Sequence, residues 1–269
     1  MSTQMPEWSK FKDKVERTVA VNRSLIFRGQ ANAEWKLITT FFRSGQTDIK
    51  YYIEQVIPEV ADRVETVTGK KWNTSDPLQL ASFLAYLQHH GFPTPLLDWT
   101  FSPYIAVYFA MSDSIDLQQG NKEVAIFIFD HQLWQNDYKQ NPDYTITEPH
   151  VTIMRPLTSG NNKYMIQQGI FTYSNVYDIE GHIKFNEKKN QYLFKETLPI
   201  SERAFILNDL DLMGINAFSL TPTIEGLCRK CKEQFFPFLK MPRPDQASQN
   251  LELFEDKEKP KLVLPPDTK

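Results

Sequence analysis

The chain has 269 residues and a mass of 31.4 kDa, 41% of them hydrophobic and 23% charged. That is enough to bury one large core without a disulfide or metal staple, and it sets aside wholesale disorder and fibrous architectures. A formal net charge of −3 and a pI near 6.0 argue against a globally basic nucleic-acid binder, so nucleic acid is not the favoured partner. The opening residues lack the apolar core of a secretory signal, and no stretch approaches the roughly 20 apolar residues of a membrane span. The expectation is a cytoplasmic chain with no membrane partner.

Residues 5–21 read as a polar helix leading into a short strand that runs from Ser24 to Gly29. Ile49, Ile53, Val56, Val60 and Val64 recur at helical spacing, interrupted by Pro58. A second helix is expected over Pro77 to His89, ended by Gly91, and a third from Pro103 to Met111, capped by Ser102. Between them Phe92 to Phe101 reads as a loop. Glu123 to Asp130, short, continuous and rich in branched and aromatic residues, is the clearest buried strand. Further strands are expected at Gly169–Tyr173 and Tyr192–Ile200, then a helix from a Ser201 cap to Met213, stopped by Gly214. Ala217–Leu220 reads as a last strand before a helix that carries Glu225, Cys228 and Cys231. Beyond Lys240 prolines and charges replace rings, the composition of a flexible tail. The mixed order implies an α+β fold with a central sheet. Its divisions are an N-terminal helix (1–22), one mixed domain (23–240) and a tail (241–269).

The densest cluster of reactive side chains is Gln88, His89, His90, Asp98, Thr100 and Ser102, set between a helix end and a helix start. Such a segment can aim polar groups and a helix N-terminus at an anion. It can also be plain structure, with the histidines capping a helix and Asp98 bracing a turn. Adjacent histidines cannot share a helix face, so no metal site is expected. No Gly-x-Ser-x-Gly elbow or phosphate-binding glycine loop is present, which disfavours hydrolase triads and P-loop chemistry. The two cysteines, three apart, fit ordinary helix positions, a redox pair or half of an intermolecular metal site. Arg28 ends a strand and is followed by Gly29, a residue that admits another backbone or a ligand at close range. Its guanidinium suits a two-pronged grip on phosphate or carboxylate, or an ion pair to Asp98 or Glu225.

At these residues the chain resembles the FRG-domain family. Phe27-Arg28-Gly29 is the naming signature, continued by Gln30, Trp35, Lys36, Leu37 and Arg43. Gln88 to Ala110 is similar to a second motif, Gln168 to Thr172 to a third, and Gly214-Ile215 with Glu225-Gly226-Leu227 to a fourth. The resemblance spans about residues 20 to 235 and implies a bacterial or phage setting. Leu220-Thr221-Pro222-Thr223 stands where the family shows Leu-Phe-Pro-Asp. A weaker resemblance links Arg28, Asp98-Trp99-Thr100 and the following Ala106, Phe109 and Ala110 to arginine-type ADP-ribosyltransferases, with Gln168 in place of their strand-leading glutamate. It implies an ADP-ribosyltransferase-like sheet, NAD or another nucleotide as ligand, and a macromolecular acceptor. In that scheme Arg28, Gln30, Gln88, Asp98, Thr100 and Ser102 hold the ligand and Trp99 or Phe101 stacks on it. His89, His90, Gln168 and Glu225 are the catalytic candidates, Glu225 supplying the missing carboxylate. The alternative is a module that binds a ligand or protein without catalysis.

Overall fold

In the computed structural model the described residues are 6–114, 122–141, 143–155 and 166–236. The expected tail, 241–269, lies outside them. The chain forms α1 (Glu7–Val21), β1 (Leu25–Gln30), α2 (Thr40–Arg43), α3 (Ile49–Tyr51), α4 (Ile57–Thr68), α5 (Pro77–His89), β2 (Leu96–Thr100), α6 (Pro103–Asp113) and β3 (Glu123–Asp130). It continues with α7 (His131–Asp137), β4 (Val151–Met154), β5 (Gly169–Ser174), α8 (Ile179–Asn186), β6 (Leu193–Pro199), α9 (Arg203–Leu212), α10 (Ala217–Leu220) and α11 (Ile224–Phe235). This is an α+β arrangement around one six-stranded sheet of order β4-β5-β2-β1-β3-β6, with every neighbouring pair antiparallel.

Strand alternation sorts the core onto two faces. On one face, Ile26, Leu97, Trp99, Phe127, Phe129 and Ile170 pack with Trp134 of α7 and with Ile179 and Ile183 of α8. The other face carries two separate clusters. Phe27, Ile126 and Ile128 meet α1, α6 and α9 through Trp8, Phe11, Val107 and Ile206. Leu96, Phe171 and Tyr173 meet α2 to α5 through Phe41, Ile57, Phe83 and Leu84. The boundary between these two clusters falls over the β1–β2 junction.

Several elements depart from the sequence expectation. Pro58 does not break its helix, because a π-helical turn, Tyr52–Val56, absorbs the missing donor just ahead of it. Phe92 to Phe101 is not all loop, since Leu96–Thr100 is a central strand paired with β5 over five positions. Ser201 caps nothing: it lies in a 3-10 turn, Ile200–Glu202, and α9 starts without a side-chain cap. Ala217–Leu220 is one helical turn rather than a strand, because Asn216 and Ser219 form a reciprocal capping box that captures the backbone locally. Among the described residues no helix is long and apolar enough to cross a membrane.

Candidate functional site

The two central strands barely pair. β1 meets β3 over six consecutive positions but touches β2 in register only at Phe27↔Thr100. Past that point the strands part, and the seam opens into a cavity of about 350 Å3 between the two clusters of that face. Its walls include Arg28, Gln88, His89, Asp98, Asp113 and Gln167.

The Phe-Arg-Gly run divides three tasks. Phe27 is buried beside α6, whereas a Cβ added at Gly29 would lie 1.9 Å from the Ala106 carbonyl oxygen. Gly29 therefore admits the α6 backbone, the first of the two options its sequence context offered. Between them the Arg28 guanidinium spans the seam. Its Nη1 donates to Asp98 O at 2.7 Å and lies 3.8 Å from Asp98 Oδ2, which takes the place of ladder bonding that β1 does not provide. Its Nε is buried with no hydrogen-bond partner. Burial lowers the guanidinium pKa from its ordinary value, opposed by Asp98 and reinforced by Arg43, yet an arginine stays charged.

Asp98 faces the same cavity and is fixed from α5. Gln88 Nε2 donates to Asp98 Oδ2 at 2.6 Å, while Gln88 Oε1 accepts the Thr94 hydroxyl, which sets the amide's orientation. The carboxylate stays 60% exposed, so it remains available to a ligand. His89, at the end of α5, is an exposed part of the rim.

Arg28, Gln88, His89, Asp98 and Thr100 are thus brought together as the sequence suggested. The remaining candidates lie elsewhere. Trp99 contributes backbone to the wall, but its ring is 3% exposed on the opposite sheet face, with Nε1 donating to Thr172 Oγ1 at 3.0 Å. Phe101 meets His131 and Arg155 instead of the cavity, so neither ring is the expected stacking surface. Gln30 is buried and donates from Nε2 to Lys36 O. His90 ends α5 against Tyr86, with ring centroids 4.5 Å apart. Ser102 caps α6 by accepting from Ile105 N, and α6 turns its flank (Ala106, Phe109, Asp113) rather than its N-terminus to the cavity.

Gln168 is exposed, at φ +50°, and its carbonyl accepts Phe101 N; its neighbours Gln167 and Gly169 are the ones that line the wall. Glu225 sits exposed in the first turn of α11 and is not a lining residue. One turn on, Arg229 Nη2 reaches Asp113 Oδ1 at 2.5 Å, which is how α11 contacts the cavity wall. Gly226 beside it is required by packing, since a Cβ there would lie 1.9 Å from Thr221 O.

Asp113 and Gln167 line the cavity without standing among the residues that the sequence singles out. Asp113 stands seven residues after Ala106 and four after Phe109, a helical face visible in the sequence. Gln167 gave no signal beyond adjacency to Gln168. Among the described residues no group of three or more His, Cys, Asp or Glu could hold a metal ion, and Cys228 and Cys231 are free thiols on α11.

An arginine-spanned seam in an antiparallel sheet, sealed by a helix on a glycine, defines an α+β domain with a polar cavity at its centre. Residues 23–119 match the family model of the FRG domain, so the chain carries an FRG domain. The matched span holds the first two motifs; the third and fourth lie beyond it. No curated protein and no solved structure matches the chain.

Proposed function

We propose that the seam cavity binds a nucleotide-class ligand, NAD or one of its fragments, with Arg28 holding an anionic group. The observation that carries this reading is the buried Arg28 Nε, a charged donor with no partner at the edge of a cavity that also presents Gln88, His89 and Asp98. Leaving such a donor unmet costs about 1–3 kcal/mol or more, which an anionic ligand would recover. A volume near 350 Å3 is at the small end of the roughly 300–1,000 Å3 range of ligand sites. It suits one phosphate-and-ribose portion of a dinucleotide, the rest lying outside.

The catalytic version is an ADP-ribosyltransferase-like reaction. The bond between ribose C1′ and the nicotinamide nitrogen breaks, nicotinamide departs with the electron pair, and a nucleophile of a macromolecular acceptor bonds to C1′ after losing its proton. A carboxylate beside the ribose would stabilise the positive charge that develops. Asp98 supports that role better than Glu225, because Asp98 lines the cavity, whereas Asp113 is occupied by Arg229. Modification of an acceptor in this way is the action of a toxin or phage-defence effector in a conflict system, which suits the bacterial or phage setting that the family resemblance implies. The second reading, a binding module without turnover, is favoured by the positions of Glu225 and Gln168 outside the lining.

Calorimetric titration with NAD, ADP-ribose and AMP tests the common claim. Binding that falls about 10-fold to 100-fold on Arg28→Ala is expected, the loss of a hydrogen bond to a charged group. Absence of binding to all three, or equal binding by the variant, overturns it. Nicotinamide release, abolished by Asp98→Asn, separates the transferase from the module.

A further inference from the structure

A second cavity lies behind α6, between α6, α9 and α11. Its volume is about 220 Å3, and its walls include Tyr108, Arg203, Asn208, Lys230 and Glu233. Arg203 is 7% exposed. Its Nε donates to Met111 O at 2.8 Å, its Nη2 is buried without a partner, and no carboxylate lies within 4.0 Å of it among the described residues.

The surrounding carboxylates answer this cation only at longer range: Glu233 favours the charged guanidinium but makes no ion pair with it. Glu233 accepts from the Tyr108 hydroxyl at 3.1 Å, from the Ser112 hydroxyl and from Arg229 Nε at 3.4 Å, which holds the carboxylate on those groups rather than on Arg203. Asp211 holds Lys230 at 3.3 Å and accepts from Asn216 Nδ2. Arg229 is shared between Asp113 and Glu233. A buried cation without a direct ion pair is costly, and a bound anion in contact with it would offset that cost.

We infer that this cavity is a second ligand site, for a compact oxyanion of the phosphate or carboxylate kind, gripped by the Arg203 guanidinium with Lys230 and Asn208 at its mouth. The volume of about 220 Å3 suits a tetrahedral or planar anion with a few waters. Occupation of this site would act on α6, whose Met111 carbonyl Arg203 holds and whose opposite flank walls the seam cavity.

The test is calorimetry on the full chain in chloride buffer, with inorganic phosphate in one arm and acetate in the other. The proteins are the parent, Arg28→Ala, Arg203→Met and Asn208→Trp. Saturable binding of one anion is expected, kept in Arg28→Ala and weakened about 10-fold to 100-fold in Arg203→Met. Asn208 is exposed, so Asn208→Trp closes the mouth with Arg203 in place and tests the site even if Arg203→Met fails to fold. Preference for phosphate or for acetate assigns the anion class, and either supports the site. Binding of neither anion, binding lost in Arg28→Ala, or binding untouched in both Asn208→Trp and a folded Arg203→Met overturns it.

Discussion

The two edges of β1 behave oppositely. Toward β3 the strand pairs continuously from Leu25↔Asp130 to Gln30↔Ala125, and its partner carries Ala125, Phe127 and Phe129 fully buried. Toward β2 it pairs once and then gives way to an arginine, an aspartate and a glutamine. Each omitted ladder bond forgoes about 0.5–1.5 kcal/mol net, so an open seam persists only where something else fixes the strands. Here α6 fixes β1 by lying on Gly29, and β5 fixes β2 along its whole length. One edge of the strand makes the fold and the other makes the site.

Substitutions on the two edges should therefore separate stability from binding. Phe127→Ala, on the paired side, should cost about 3–5 kcal/mol by urea unfolding, the transfer and cavity loss of a buried ring. A loss below about 1 kcal/mol would mean that the β3 side is not the structural one. Gly29→Ala comes next: the new methyl meets backbone that must shift, with an expected loss of about 1–3 kcal/mol. It should also weaken ligand binding, because the α6 flank it displaces walls the cavity. Arg28→Met should change stability by less than about 1 kcal/mol in either direction, since removing a buried charge also removes its desolvation cost. A collapse of stability there would make Arg28 a structural brace and break the comparison.

Much of this was legible in the sequence and some of it could not be. Pro77–His89 and Glu123–Asp130 were read with their observed bounds because caps, prolines and a continuous apolar run are local signals. Leu96–Thr100 does not read as a strand because Pro93, Pro95 and Asp98 have the character of a loop, and only pairing with β5 fixes its extended backbone. The convergence of Arg28 with Gln88 and Asp98 followed from motif density, which survives without knowing strand order. The parting of β1 from β2 did not, since register is a property of two strands and not of either one. The place of Trp99 is hidden for a related reason: in a loop its ring could serve a ligand, but in a strand alternation sends it to the opposite face from Asp98.

The smallest expected effect tests the paired edge at its far end, where His131 ties the start of β1 to the end of β3. The ring is 1% exposed, with Nδ1 2.5 Å from Ser24 O and Nε2 3.3 Å from Arg155 Nη2. Arginine can only donate, so Nε2 accepts, Nδ1 carries the proton toward Ser24 O, and the ring is neutral. Burial holds the imidazole pKa below its ordinary 6.5 and Arg155 pushes the same way, while the Ser24 contact and Asp130 oppose them. With the folded value depressed, the unfolded chain takes up the proton first as pH falls. The stabilisation is complete above the unfolded value of 6.5 and is lost progressively as pH drops through the lower folded value. Urea midpoints measured at about pH 7.5 and about pH 5 should show a larger acid loss in the parent than in His131→Asn, which has no group to titrate in this range. Arg28→Met, on the other edge, should keep the parent's acid loss. Equal losses in the parent and His131→Asn would show that the β1–β3 junction does not sense this proton.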